Sequence, residues 1–144
     1  MKAIKSIDDL AKYISKIVEI ETEVYPSDVW GFASDGVDYI DGIPVGIVEN
    51  NWYFICEING GDLYIVDFAK KPSYRMTIKD MMAIKTLIES TIKEFNIRTL
   101  SASMRETTSY KFKRLISRWY TLVAEEIDFT DSNGEAYYYL EWEV

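Results

Sequence analysis

The chain contains no histidine and only one cysteine, and these two shortages exclude several kinds of chemistry. Without histidine there is no Ser-His-Asp or Cys-His catalysis and no imidazole metal ligand. A lone Cys56 forms neither an internal disulfide nor a structural zinc site, so we expect no metal centre and a reducing, cytoplasmic location. We expect this thiol to pack as a small apolar side chain in a strand. Any proton transfer must therefore use carboxylates, tyrosine, lysine, water or the backbone.

Glycine and proline are also scarce, at 7 and 3 of 144 residues, and no apolar run approaches the length of a membrane span. The 48% apolar share is typical of a globular chain, and this length predicts a single domain over residues 1–144. The opening residues, MKAIKSIDDLAKY, carry charges where a secretory signal needs an apolar centre. We therefore expect neither export by that route nor association with a membrane.

Positive charge is lacking overall, since the net charge is −8, but the charges are segregated along the chain. Residues 1–69 carry 4 basic and 13 acidic side chains, residues 70–118 carry 12 and 4, and residues 119–144 carry none and 7. The total argues against direct binding to nucleic acid. Two interpretations of the segregation stay open, namely pairing of surface charges across the fold and an anion-binding middle segment.

The periodicity of apolar residues predicts an alternation of helices and strands. The helices are expected at about 7–23, where Pro26 ends the first, in a short segment from Ser27 (SDVWGFAS), at 77–95 and at about 108–119. The strands are expected at 43–49, 51–58, 62–69, 97–104 and in a final hairpin of 121–128 and 135–144. With a short first strand, the order is (β)ααβββαβαββ. This pattern predicts a mixed α/β (α+β) fold with a mainly antiparallel sheet flanked by helices.

The segment KKPSYRMTIKDMM (70–82) begins the basic region and opens a helix. Thr77 and Asp80 have the spacing of a capping box. A helix start presents unpaired N–H groups and the positive end of its dipole, so it is suited to binding a phosphate. Arg75 adds a planar charged group that is well matched to phosphate oxygens.

The strand LYIVDFA, followed by Pro72, Tyr74 and Arg75 and then a helix, resembles the GCN5-related N-acetyltransferase family. The order of elements is similar over nearly the whole chain, and the residue-level likeness covers about 62–120. This resemblance implies acetyl-CoA as acyl donor, with its pantetheine arm between the fourth and fifth strands and paired with 62–69. It implies donor contacts from Phe68, Ala69, Arg75, Met76, Thr77, Ile78, Lys79 and Asp80.

The sequence departs from the family's pattern at three positions. Aligning Arg75 places Ile78 and Asp80 where the family has glycine-type residues, which let the backbone approach the phosphates. In the last helix the family's tyrosine, the acid for the leaving thiolate, is replaced by Ile116. Tyr110 and Tyr120 lie roughly two turns and one turn from that position.

Two carboxylates are candidates for the general base that would deprotonate an amine. Glu57 and Asp67 lie on neighbouring predicted strands. The surrounding strand is apolar at Asp67, so burial would raise the pKa of its carboxyl group. The alternative is that both side chains lie near strand ends and are solvated or paired.

The resemblance thus implies an acyl-CoA-dependent N-acyltransferase whose acceptor is a small-molecule or protein amine. A catalytically inactive interaction module is the alternative suggested by Ile78, Asp80 and Ile116, with a protein partner on the aromatic acidic C-terminus. A third reading is an acidic mimic of nucleic acid. The basic helix, with Lys111, Lys113 and Arg114, either contacts phosphates or forms a solvated face.

Overall fold

The computed structural model describes residues 2–24 and 40–144, without the side chains of residue 2 and residues 107–110. The helices are α1 (Ile7–Lys12), α2 (Ile14–Val24), α3 (Ile78–Phe95) and α4 (Glu106–Ser117). The strands are β1 (Lys2–Ile4), β2 (Ile43–Val48), β3 (Trp52–Asn59), β4 (Asp62–Lys70), β5 (Thr99–Arg105), β6 (Thr121–Thr130) and β7 (Ala136–Glu143). The end of the first helix predicted at Pro26 and the helix predicted from Ser27 lie outside the described residues.

The seven strands form one sheet in the order β1-β2-β3-β4-β5-β7-β6. Every neighbouring pair is antiparallel except β4 and β5, which run parallel. The long connection between β4 and β5 contains α3, as a parallel crossover requires. The predicted mixed fold with a mainly antiparallel, helix-flanked sheet is confirmed.

The first predicted helix is divided in two at Tyr13, so the prediction of one helix over 7–23 is wrong. The Tyr13 amide donates to the carbonyls of Asp9 at 3.3 Å and Leu10 at 3.2 Å, which tightens the last turn of α1. The buried residues of α2 are Ile17, Ile20 and Glu21, whereas Val18 is exposed.

The helices cover both faces of the sheet and enclose two apolar cores. One core packs α3 and α4 through Ile84, Ile88, Phe112 and Ile116 against β3, β4, β5 and β7. The other packs α1 and α2 against β1 to β4 through Leu10, Ile17 and Ile20. Alternate residues of β3 serve the two cores, which is why this strand is buried over nearly its whole length. Cys56 is among these buried residues, as predicted.

Local signals account for both ends of α3. The Thr77 side chain accepts from the Asp80 amide, and the Asp80 carboxylate accepts in return from the Thr77 amide. The predicted capping box is therefore confirmed. Asn96 adopts the left-handed conformation at φ 53°, so the helix ends at Phe95, in agreement with the predicted end at residue 95. None of the helices in the described ranges is both long and apolar enough to cross a membrane.

The last helix begins and ends about two residues earlier than predicted. It covers Glu106–Ser117, and the Arg118 amide closes the final turn on the Leu115 carbonyl at 3.2 Å. Strand β5 also begins at Thr99, two residues later than the predicted start. Its start is delayed because the Ile97 amide still bonds to the Ile92 carbonyl of α3 at 3.1 Å.

Candidate functional site

A gap opens between β4 and β5 along the second half of β4. The two strands pair from Asp62 and Thr99 to Ile65 and Ala102, and no pairing is formed beyond that point in the described structure. Residues 67–70 continue to pair with β3 on their other side. Half of the backbone N–H and C=O groups of this stretch therefore face the gap, where an extended ligand with amide groups can add as a strand does.

A bulge at Val66 explains why β4 diverges. Ile65 is opposite Cys56 and Asp67 is opposite Ile55, so Val66 is the extra residue on β4. A bulge bends its strand and increases its twist. It also directs two successive side chains, Val66 and Asp67, to the α1 and α2 face.

Asp67 meets two other polar side chains at the start of the gap. The Tyr53 hydroxyl lies 2.5 Å from Oδ2 of Asp67 and 2.9 Å from Oε1 of Glu21. Glu21 is also close enough to Asp67 for its carboxyl group to raise the pKa of Asp67. Glu21 is 6% exposed and Tyr53 is fully buried, whereas Asp67 is half-buried. Strands β3 and β4 and helix α2 thus bring one phenol and two carboxyl groups together.

This arrangement changes the acidity of Asp67. Burial, together with the neighbouring carboxyl group of Glu21, raises the pKa of its carboxyl group to about 7. Hydrogen bonds from Tyr53 and from the Phe68 amide act in the opposite direction. A carboxyl group with a pKa near neutrality is suited to accept a proton from an amine at physiological pH.

An ion pair holds α2 against the end of β4 and so positions Glu21. The Lys71 ammonium group lies 3.0 Å from Oε1 of Glu19 and 3.9 Å from Oε1 of Glu23. Because Glu19 and Glu23 flank Glu21 on the helix, the contact fixes the turn that carries it. Lys71 is engaged by these two exposed carboxylates, and the contacts of Asp67 are with Glu21, Tyr53 and Phe68.

Glu57, the other predicted base, has a different environment. Its Oε2 accepts hydrogen bonds from the amides of Asp41 at 3.0 Å and Gly42 at 3.2 Å. It is paired across the strands with Tyr64 and does not face Asp67. The structure therefore does not bring the two predicted carboxylates together, and Glu57 anchors the segment that enters β2. A catalytic role for either residue stays a prediction.

The start of α3 carries its own anion, the Asp80 carboxylate. It accepts hydrogen bonds from the Thr77 amide at 3.0 Å, the Tyr74 hydroxyl at 2.5 Å and the Trp52 side chain. Burial alone would raise the pKa of Asp80, but these hydrogen bonds outweigh it and hold the pKa below its usual value. Asp80, Tyr74 and Trp52 line an open polar depression of about 210 Å³ together with Glu49, Asn50 and Asn51.

Two amides and two cations at this helix start are left for a ligand. In the described structure the amides of Ile78 and Lys79 have no hydrogen-bond partner, and the side chains of Arg75 and Lys79 form no ion pair. Ile78 is 80% exposed, so its side chain projects from the helix into solvent. The groups present fit a diphosphate bound beside Asp80, with Ile78 at the edge of the approach.

The other predicted donor contacts are divided between the two faces of the sheet. Phe68 points to the α3 and α4 face, where its ring centroid lies 5.4 Å from Phe112 and 6.3 Å from Phe54. Ala69 is buried on the opposite face. Met76 is half-buried and packs on the core beneath α3. Because the side chains of Phe68 and Ala69 point to opposite faces of the sheet, a ligand in the gap would contact these two residues through their backbone.

The last helix places no tyrosine at the position aligned with the family's acid. Ile116 is fully buried in the core beneath α4. Tyr120 follows the helix and is half-buried, and burial raises the pKa of its hydroxyl group. The side chain of Tyr110 is not among those described.

Several ion pairs join the basic middle of the chain to its acidic ends. Lys71 contacts Glu19, Lys113 contacts Glu125 at 2.7 Å, and Arg105 contacts Glu135 at 3.8 Å. This supports the interpretation that the segregated charges pair across the fold. Within the described ranges no group of three acidic or thiol side chains is arranged to hold a metal ion.

Sequence reasoning missed Glu21, Tyr53 and Trp52. One signal was present for Glu21, which follows Ile17 by four residues and precedes Val24 by three, so a carboxylate interrupts an apolar stripe. A charged residue on a buried helix face is rarely tolerated without a partner. Tyr53 and Trp52 look like ordinary core aromatics in the sequence, and nothing local shows that their polar atoms reach Asp67 and Asp80.

Comparison with known proteins connects this geometry to a fold. No family model and no curated protein matches the sequence. Among solved structures, the chain resembles the Escherichia coli ribosomal-protein-S18-alanine N-acetyltransferase at TM-score 0.60 and 13% identity, covering 99% of this chain and 92% of that one.

Two further structures are similar over comparable lengths. A spermidine N-acetyltransferase chimera that includes the Vibrio cholerae enzyme has TM-score 0.65 and 8% identity, covering 98% of this chain and 95% of that one. An aminoglycoside 6'-N-acetyltransferase complexed with coenzyme A has TM-score 0.64 and 8% identity, covering 99% and 97%. The chain therefore has the fold of the GCN5-related N-acetyltransferases.

Proposed function

We propose that this protein transfers an acyl group, most simply acetyl, from coenzyme A to an amine. The observation that carries the proposal is the position of Asp67. It lies two residues beyond the last β4–β5 pair, with a pKa of about 7, at the mouth of a gap whose β4 edge is unpaired. The fold supports the proposal because the similar structures are N-acetyltransferases and one of them holds coenzyme A.

The chain's own groups would hold the donor in two parts. The unpaired edge of residues 66–70 would bond to the amides of the pantetheine arm. The amides of Ile78 and Lys79, with the side chains of Arg75 and Lys79, would hold the diphosphate. Asp80 is kept away from that position by Tyr74 and Trp52, which bind its carboxylate on the side of the polar depression.

Asp67 would act on the acceptor. An ammonium group does not attack a thioester, so the acceptor nitrogen must lose a proton before or during attack. The half-buried Asp67 carboxylate would take that proton, because its pKa is closer to that of an amine than an ordinary aspartate's. The acceptor would enter from the α1 and α2 face, to which Asp67 points.

The acceptor is proposed only as an amine, of small-molecule or protein origin. The similar structures act on a protein alanine, on spermidine and on aminoglycosides according to their names. These three kinds of amine form a rational first panel for this protein.

The direct test combines donor binding with transfer. The purified protein is heated with and without millimolar acetyl-CoA, and the panel of amines is then assayed by mass spectrometry and by release of free thiol. Saturating donor at 100 times Kd would stabilise the fold by about 2.7 kcal/mol, which is a measurable rise in Tm. The proposal expects that rise together with one acetyl group on an acceptor.

Two negative results have different meanings. A rise in Tm without transfer to any amine would favour the catalytically inactive interaction module. Neither a rise in Tm nor transfer would remove the enzyme proposal, because a fold alone does not establish an activity.

A further inference from the structure

Asp67 belongs to a buried cluster that the proposed transfer does not by itself require. The Tyr53 hydroxyl on β3 lies within hydrogen-bond distance of both Asp67 and Glu21, and Glu21 is on α2. Glu21 is 6% exposed and Tyr53 is fully buried. Carboxylates are almost never buried as a pair without a reason, since each one disfavours the charge of the other.

The hydrogen bonds of the cluster require a shared proton. A phenol has one proton, so Tyr53 donates to either Glu21 or Asp67 at one moment and not to both. While Tyr53 donates to one carboxylate, its oxygen can form a hydrogen bond with the other carboxyl group only by accepting, which needs a proton on that group. The three side chains are therefore satisfied when the two carboxyl groups together hold one proton.

We propose that Glu21 and Tyr53 are positioning residues that share one proton with Asp67, and that the Tyr53 phenol passes a proton between the two carboxyl groups. In that step the O–H bond of Asp67 breaks as Tyr53 oxygen accepts its proton. The phenolic O–H bond breaks as Glu21 Oε1 accepts the other proton, so charge moves from one carboxylate to the other. The role in turnover rests on the proposed transfer function, whereas the shared proton does not.

Within turnover, this step would return Asp67 to its ionised form. When both carboxyl groups are ionised, Asp67 takes a proton from the amine at the gap, and this becomes the one proton of the cluster. Tyr53 then relays a proton to the ionised, more deeply buried Glu21. The groups that face Asp67 are Glu21 from α2, Tyr53 from β3 and the Phe68 amide from β4. Lys71, at the end of β4, is held by Glu19 and Glu23.

The first test needs no ligand. Carbon-13 NMR of the side-chain carboxyl groups follows Glu21 and Asp67 against pH in the free protein, with Asp67→Asn used for assignment. The proposal expects the Asp67 signal to titrate with an apparent pKa of about 7 and the Glu21 signal to change over the same pH range. Separate titration of Asp67, at an ordinary value of about 4, would overturn it.

Two substitutions should move that titration in opposite directions. Glu21→Gln removes a like charge and supplies an amide donor, so the apparent pKa of Asp67 should fall by about one unit or more. Tyr53→Phe removes a donor to the carboxylate, so the pKa should rise. Glu23→Gln, on the same helix, and Tyr64→Phe, on β4, are matched controls that should leave it unchanged. Shifts in the same direction would contradict the shared proton.

Kinetics separate this inference from the proposed function. With a working acceptor, Tyr53→Phe should lower kcat by about tenfold or more and leave the acceptor KM unchanged, while its pH profile moves with the NMR titration. An unchanged kcat would overturn the proton-passing step. If the wild-type protein transfers nothing, the proposed function fails, and the NMR titration still decides whether the proton is shared.

Discussion

Asp67 accepts a hydrogen bond of 2.5 Å from the Tyr53 hydroxyl at the place where β4 separates from β5. The end of the β4–β5 pairing at Ile65 and the acid–base group Asp67 therefore lie only two residues apart. The bulge at Val66 produces both, because it bends the strand and directs Asp67 toward α2. Substitutions along this short stretch should affect stability, acidity and binding in separable ways.

Asp67→Asn should remove a dependence of stability on pH. In the wild-type protein the pKa of Asp67 is about 7 in the folded state against 3.8 in the unfolded state, so the folded protein binds more protons between these values. The stabilisation is complete below about pH 4 and is lost as the pH rises to about 7. The difference corresponds to at most about 4 kcal/mol. Urea unfolding across this range should show the decline in the wild type and a flatter profile in the variant.

The control for this measurement is Glu23→Gln, which also removes one negative charge near the end of α2. The dependence of its stability on pH should follow that of the wild type. Glu23 is exposed, and its ion pair with Lys71 is long, at 3.9 Å, and therefore weak. If Asp67→Asn shows the same decline as wild type, the raised pKa of Asp67 is not the cause.

Glu57→Gln should lower stability without changing the chemistry. Both amides donate to the same carboxylate oxygen, Oε2, so a glutamine oxygen can replace it only as an uncharged and weaker acceptor. Hydrogen bonds to a charged group are stronger than neutral ones by about 1 kcal/mol. We expect a lower urea midpoint and an unchanged kcat for the protein that remains folded. A large fall in kcat with normal stability would instead restore Glu57 as a catalytic candidate.

Ile78→Gly should improve donor binding. Ile78 is 80% exposed, so its removal costs little packing, and glycine in the first helical turn costs at most about 1 kcal/mol. A backbone without this side chain lets phosphates approach the amides of Ile78 and Lys79 more closely. We expect acetyl-CoA to bind about threefold to tenfold more tightly by calorimetry, a gain of about 0.7–1.4 kcal/mol. Met82→Ala, an exposed apolar change one turn further on, should leave the affinity unchanged.

Thr77→Ala and Asp80→Asn should each destabilise the protein, and together by less than their sum. Each side chain caps the amide of the other, so either change removes part of the same capping box. Loss of the cap costs about 0.5–2 kcal/mol. Asp80→Asn also weakens the hydrogen bonds from Tyr74 and Trp52, and we expect it to have the larger effect. Additive losses in a double-mutant cycle would show that the box does not act as a unit.

These residues also show which features can be predicted from sequence. The capping box of α3 and the end of the helix at residue 95 were predicted because each depends on residues a few positions apart. The strands were located because their apolar runs are bounded by turn residues. Even the division of α1 and α2, which was missed, is a local event at Tyr13.

The site depends on contacts that no local pattern encodes. Glu21 meets Tyr53 and Asp67 only because α2 packs across β3 and β4. Glu57 and Asp67 were both candidates for the general base because they lie on adjacent strands, but Glu57 is opposite Tyr64 and Asp67 is opposite Ile55. The raised pKa of Asp67 was expected from its apolar strand, whereas the contribution of Glu21 to it needed the tertiary structure.

Deleting Val66 should close the site while keeping the fold. Without this residue Ile65 and Asp67 would oppose Cys56 and Ile55 as ordinary neighbours, so the side chains on both sides of the deletion would keep their faces. The strand would straighten and could continue its pairing with β5, which would fill the hydrogen-bonding edge that the proposed pantetheine arm requires. Val66 is half-buried, and loss of its packing should cost about 1–3 kcal/mol. We expect the shortened protein to unfold cooperatively and to lose the rise in Tm with acetyl-CoA.

Val66→Ala, which keeps the bulge and removes most of the side chain, should show a similar loss of stability and retain that rise. If the deletion variant still binds acetyl-CoA, the gap between β4 and β5 is not where the donor lies.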